Sequence, residues 1–251
     1  MKKTFISIVL STALSFTLLH AGQIRVAVAA NVSYAIKDLV EAFNKKYPDT
    51  QVQVILGSSG KLTAQIKHGA PFGLFMSANM LYPDRLYKDK RAITKPVVYA
   101  QGALAILSKK RRDYCAQIHL LEDKDIDKIA IGNSKTAPYG EAAKEALENA
   151  GIYDKIKSKL VFGESISQTV SYVMTSADIG IISKSTLYAP QMSEYKEAIH
   201  WSEVDERLYT PIKQGMVLLK HAKGNAEAKA FYDFILSSEA KEILQKYGYK
   251  I

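Results

Sequence analysis

Four short segments of this sequence carry the residue types that hold an anion without a formal counter-charge. Ala30-Asn31-Val32-Ser33 leaves an alternating, strand-like run, and Gly57-Ser58-Ser59-Gly60 lies between Leu56 and a helical pattern that starts at Leu62. Ala137-Pro138-Tyr139-Gly140 opens a helical pattern at Glu141, with Pro138 near the first-turn position where a missing N–H costs nothing. Glu164-Ser165-Ile166-Ser167-Gln168 places a serine and a glutamine at capping-box spacing. Each segment presents unpaired N–H groups at the positive end of a helix dipole, beside a hydroxyl or an amide. Taken singly, each is an ordinary helix cap. Their recurrence points to a site, because ligands of open α/β sheets gather outside the carboxyl ends of the strands.

The elements that must position these junctions are strands alternating with helices, which argues for an α/β protein with mostly parallel central sheets. Strands are expected at 23–29, 52–56, 74–77, 129–132 and 179–182, and helices at 34–47, 62–68, 141–150 and 167–176. The segment 226–246 supplies the closing helices. Two long β-rich segments, 97–107 and 209–219, bracket the central block. This predicts two lobes joined by two crossings: residues 22–102 plus about 225–251 in one lobe, and about 103–224 in the other. Each lobe would bring two of the four junctions to a ligand held between them.

Composition fits a folded protein: 251 residues, 47% hydrophobic and 24% charged, enough for two cores. Residues 1–21 stand apart. Lys2 and Lys3 precede the apolar stretch Phe5–Leu19, and Ala21 offers a small-residue cleavage site, the layout of an exported protein's signal peptide. The stretch is short for a membrane span. Removing it lowers the formal charge from +9 to +7, a balance compatible with an anionic ligand. Lys109-Lys110-Arg111-Arg112 is the one dense basic run and reads as a solvated loop; no zinc spacing or aromatic-basic alternation supports nucleic-acid binding. The single Cys115 cannot form an internal disulfide, and His68, His119, His200 and His221 are dispersed without metal-ligand spacing.

The mature chain from Gly22 to Ile251 resembles the periplasmic molybdate-binding proteins of the type II solute-binding fold. The resemblance is carried by VAVAANVSYAIKDLVEAF, LGSSGKLTAQIKHGAPFGLFMSAN, SKTAPYGEAAKEAL and AKAFYDFILSSEAKEILQKYGYKI. It implies a two-lobed periplasmic protein, monomeric and without cofactor, that closes on molybdate or tungstate. The anion would pass to the membrane permease and ATPase of an ABC importer. It also implies the ligand residues: Asn31, Ser59 with Ser58 adjacent, and the backbone donors Tyr139 and Ile166. Some members place a tyrosine after the strand at 179–182, where this chain has Ser183, and Asn79 stands where an aspartate is common.

Two other readings stay open at this level. Sulfate shares the charge and shape class of molybdate, whereas phosphate carries a proton that wants an acceptor and no carboxylate lies at the heart of the junctions. Ser58-Ser59-Gly60-Lys61 fits S-x-x-K, Ser77-Ala78-Asn79 fits S-x-N, and Lys135-Thr136-Ala137 nearly fits K-T-G, which imitates a periplasmic serine acyltransferase.

Overall fold

A computed structural model describes residues 22–251; the expected signal peptide at 1–21 lies outside the described residues. The alternating QIRVAVA run forms β1 (Gln23–Ala29), and Ala30–Val32 tightens into a 3₁₀ turn. It leads into α1 (Ala35–Lys46), whose buried face is Ala35, Ile36, Leu39, Ala42 and Phe43, the spacing that an amphipathic helix requires. There follow β2 (Gln51–Gly57), α2 (Ser59–Lys67), β3 (Leu74–Ser77), α3 (Leu81–Lys88) and β4 (Val97–Gly102). Ala103 alone separates β4 from β5 (Leu104–Leu107). The second half runs β6 (Ile129–Gly132), α4 (Pro138–Asn149), α5 (Tyr153–Ile156), β7 (Leu160–Gly163), α6 (Ile166–Thr175), β8 (Ile179–Ser183) and β9 (Trp201–Glu203). The chain ends with β10 (Ile212–Leu218), α7 (Ala226–Ile235) and α8 (Ser238–Lys246).

The strands form two five-stranded sheets with the same plan, β2-β1-β3-β10-β4 and β7-β6-β8-β5-β9. In each, four strands point the same way and one, β10 or β5, runs against its neighbours. The result is an α/β molecule of two lobes, each built on a mixed sheet. Register explains how the junctions come together. β1 and β2 pair from Gln23↔Gln51 to Ala29↔Gly57, so the segments at Asn31 and Ser58 leave the first sheet side by side. β6 and β7 pair from Ile129↔Leu160 to Gly132↔Gly163, which does the same for the segments before Tyr139 and Ile166.

Each lobe has its own core. In the first, Phe43 packs edge-on against Phe231 at 4.9 Å between centroids, joining α1 to α7 beneath β1 and β3. In the second, Leu104, Ile106, Ile129, Ile131 and Leu147 lie at the centre.

Several expectations need correction. β10 belongs to the first sheet, so the chain returns to lobe 1 by Ile212, earlier than the expected boundary near 225. The helices at the second and third junctions begin at Ser59 and Pro138, not at 62 and 141, which puts the candidate residues inside the first turns. The basic run is not uniformly solvated: the Arg112 side chain is only 8% exposed and pairs with Asp125.

Candidate functional site

The carboxyl ends of β1, β2, β6 and β7 face a small cavity between the lobes, about 10 Å³ in volume and partly open to solvent. Asn31, Ser58, Ser59, Tyr139 and Ile166 all line it, and the rest of the wall is Ala29, Ala30, Ala78, Ala137 and Pro138. No wall residue carries a charge. Among the described residues, no cluster of three or more His, Cys, Asp or Glu side chains could hold a metal ion.

Donors at the wall come from the starts of helices. Ser59 is the first residue of α2, Pro138 and Tyr139 are the first two of α4, and Ile166 is the first of α6. N–H groups in a first turn have no intrahelical acceptor. Ser58 and Ala137, the caps of α2 and α4, make no side-chain capping bond. Ser165 caps α6, but it accepts from Gln168 N–H rather than from Ile166, while Gln168 Oε1 reaches back to Glu164 N–H at 2.6 Å. The 3₁₀ turn containing Asn31 has no side-chain cap either. Local sequence thus leaves unpaired N–H groups at all four junctions, and the sheet register aims them at one place.

The hydroxyls and the carboxamide differ in availability. Ser58 is 4% exposed and its Oγ is buried without a partner. Ser59 is fully buried; its Oγ accepts from Ala78 N–H at 3.0 Å, so the Ser59 proton is still free to donate. Asn31 presents Nδ2 to Gln214 Oε1 at 2.8 Å and to the Tyr249 hydroxyl at 2.9 Å, leaving Oδ1 buried without a partner. Ser183 does not line the cavity: its hydroxyl is 3.0 Å from that of Thr186. Nor does Asn79. Gln214, Tyr249 and Ser185, which surround Asn31, were not singled out by sequence reasoning. They lie 183, 218 and 154 residues away from it, and nothing local marks them.

The lobes touch above the cavity. Gly60 N–H donates to Thr136 O at 2.9 Å, Ser167 Oγ to Ala30 O at 3.2 Å, and Lys61 pairs with Glu164 at 2.5 Å. The Lys61–Glu164 pair is more than half exposed on both sides, so screening by water keeps it weak. Below the cavity the Tyr139 side chain is completely buried, and its hydroxyl presses on Gly102, where any Cβ would overlap it. Burial holds the Tyr139 and Tyr99 phenols well above their ordinary value and pushes Tyr249 up to about 12. All three therefore stay neutral at physiological pH. Chemically, the site is a set of neutral donors with one unpartnered amide acceptor, Asn31 Oδ1, and no base, no acid and no fixed charge, suited to a compact anion that needs no proton taken or given.

The family described as bacterial extracellular solute-binding protein matches residues 24–250. The molybdate-binding protein ModA of Rhodobacter capsulatus is 36% identical over 237 residues, covering 91% of this chain and 88% of the relative. ModA of Azotobacter vinelandii is 35% identical over 234 residues, covering 92% and 90%. Among solved structures, the periplasmic molybdate-binding protein of Azotobacter vinelandii superposes with a TM-score of 0.84 at 28% identity, over 91% of this chain and 99% of that one.

Proposed function

The chain belongs to the bacterial extracellular solute-binding proteins, and on that footing we propose that it captures molybdate, and tungstate with it, for an ABC importer. The observation that carries the reading is the uncharged cavity ringed by the first-turn N–H groups of four junctions, by the partnerless hydroxyl of Ser58 and by Ser59, whose Oγ accepts from Ala78 N–H and keeps its proton to donate. Donors alone suit a fully deprotonated tetrahedral dianion. Hydrogen phosphate would need a strong acceptor for its proton, and the wall has no carboxylate, its one partnerless amide acceptor being the neutral Asn31 Oδ1. The named relatives are molybdate-binding proteins, which favours molybdate over sulfate. Asn31, Ser58, Ser59, Tyr139 and Ile166 are the proposed ligand residues. The ion is bound whole, and no cofactor takes part.

The acyltransferase reading loses its support in the geometry. Lys61 pairs with Glu164 across the cleft and makes no bond to Ser58 or Ser59, and Ser77 Oγ lies 3.4 Å from Asn79 Oδ1. A serine nucleophile needs a base within hydrogen-bond reach, and neither cavity serine has one. The working place is the periplasm, reached through the export signal proposed for residues 1–21. The partners are the importer's permease and ATPase, and the protein acts as a monomer.

The test is calorimetric titration of the mature protein with molybdate, tungstate, sulfate and phosphate. Molybdate and tungstate should bind tightly and stabilise the fold by about 4 kcal/mol at a thousandfold excess over Kd. Equal heats and equal thermal shifts with sulfate would make the protein a general oxyanion binder, and no response to any of the four would reject the reading.

A further inference from the structure

Behind the cavity lies a buried hydrogen-bonded cluster whose polarity is fixed at one end by main-chain oxygens. Gln214, on β10 and completely buried, points its amide nitrogen at the main-chain oxygens of Ile212 (3.0 Å) and Ala78 (3.4 Å). Those oxygens can only accept, so the amino end of Gln214 must face them. Its Oε1 is thereby turned to Asn31, which must answer with N–H₂. The second hydrogen of that amide goes to the Tyr249 hydroxyl, whose own proton has two acceptors in reach, Asn31 O at 2.9 Å and Ser185 Oγ at 3.2 Å. Ser185 Oγ donates to the same Asn31 oxygen at 3.1 Å. Asn31 is therefore held on both its side chain and its main chain, and its amide hydrogens are already engaged inside the protein.

We propose that Gln214 and Tyr249, neither of which lines the cavity, are positioning residues of the anion site: acting through Asn31, they fix the 3₁₀ turn that presents its N–H to the ligand. The inference rests on the anion-binding reading of the cavity. It gives the hinge-side strand β10 and the C-terminal tail a part in binding. The tail is set for this role from two directions. Lys250 pairs main chain to main chain with Gln101 at 2.7 and 2.9 Å, and its side chain reaches Glu206 of the second lobe at 2.6 Å. Tyr249 is thus anchored immediately beside its point of action. The cluster also explains how Asn31 can sit in the wall and still be 2% exposed: its carboxamide is the peg of the turn.

The experiment is a double-mutant cycle on molybdate affinity, using Tyr249→Phe, Gln214→Leu and Asn31→Ala, singly and in pairs. Hydrogen exchange of the Asn31 side-chain amide is measured in the ligand-free protein alongside it. Tyr249→Phe keeps the ring and should fold; losing its hydroxyl should weaken binding about three- to tenfold and speed exchange of the Asn31 amide. Gln214→Leu should weaken binding about tenfold or more. In the Asn31→Ala background the further loss from Tyr249→Phe should shrink to less than about twofold, because the residue through which it acts is gone. A merely structural role would lower thermal stability in both backgrounds and leave the two affinity losses equal. Parent-like affinity in both Tyr249→Phe and Gln214→Leu, or full additivity with Asn31→Ala, overturns the proposal while leaving molybdate binding intact. A parent protein that binds no molybdate overturns the functional reading itself, and this inference with it.

Discussion

The two lobes repeat one plan and arm it differently. In both, the strand at the middle of the parallel set and its outer neighbour end in register, Ala29↔Gly57 in one and Gly132↔Gly163 in the other, and each releases a helix start toward the cavity. Lobe 1 fills these positions with polar side chains, Asn31, Ser58 and Ser59, two of which keep a buried polar atom without a partner. Lobe 2 fills them with Pro138, Tyr139 and Ile166, and Ser165, which precedes Ile166, is occupied as a cap. Asn133, which follows β6 much as Asn31 follows β1, folds back on Lys135 N–H at 3.0 Å instead of joining a cluster. One lobe thus offers the anion side chains and main chain together, the other main chain alone. Chemistry on one side can be edited residue by residue. On the other, only the path of the backbone matters.

The largest effect should come from reversing the polarity of lobe 1. Asn31→Asp places a carboxylate beside the dianion; at roughly 4 Å and an effective dielectric near 20 each unit repulsion is about 4 kcal/mol, on the order of a thousandfold in affinity. The same carboxylate cannot donate to Gln214 Oε1 or to Tyr249, so the ligand-free melting temperature should fall too, measured by calorimetry. Next comes a backbone change in lobe 2. Gly140 lies against the main chain of Gly132 so closely that a Cβ would overlap the Gly132 oxygen, and Gly140→Ala must push the start of α4 off β6. Affinity should drop on the order of a hundredfold as the Tyr139 N–H moves, whereas Tyr139→Phe, which keeps that N–H, should change titrated affinity far less.

The serine pair separates binding from stability within lobe 1. Ser58→Ala removes a hydroxyl with no internal partner and should cost about tenfold in affinity at an unchanged melting temperature. Ser59→Ala should lose affinity and also roughly 1–3 kcal/mol of stability, because the Ala78 N–H is left buried without its acceptor. Smaller again is the bridge across the cleft. Lys61→Met should alter affinity less than about fivefold, and the difference should vanish at high salt. Smallest is the response to pH. Tyr249 is pushed up to about 12, above its unfolded value near 10, so its contribution is complete below pH 10 and is lost as pH rises toward 12. Affinity should be flat between roughly pH 7 and 9, with stability declining above pH 10 in denaturant titrations.

How much of this was legible in the sequence depended on whether the signal was local. The four junctions were, because a helix start announces itself by its capping residues, its proline and the strand before it. The alternating run at 23–29 and the apolar face of α1 were legible for the same reason. α3 was missed since Pro83 interrupts its pattern, yet Pro83 sits in the first turn, where the absent N–H breaks nothing. β7 is an edge strand that, unlike the four-residue β3 and β6, is largely not buried, and β9 is only three residues long. The placement of β10 in the first sheet depends on pairing with β3 and β4, partners more than a hundred residues away. Gln214 and Tyr249 escaped notice on the same ground: a lone glutamine in an apolar strand and a tyrosine near the terminus acquire meaning only from Asn31.

The hinge has little slack. Ala103 is the single residue between β4 and β5, and on the other crossing Thr210 is tied to the Glu145 carboxylate through both its N–H and its hydroxyl, at 2.9 and 2.8 Å. With no spare loop to absorb displacement, a pull on either lobe reaches the cavity as opening. An anion held as proposed would then lose all the donors of one lobe in one event instead of shedding them one by one. Its dwell time would then follow how often the lobes part. A membrane partner that gripped both lobes would shorten that time without touching the ion, and the moment of unloading would become a mechanical decision of the partner.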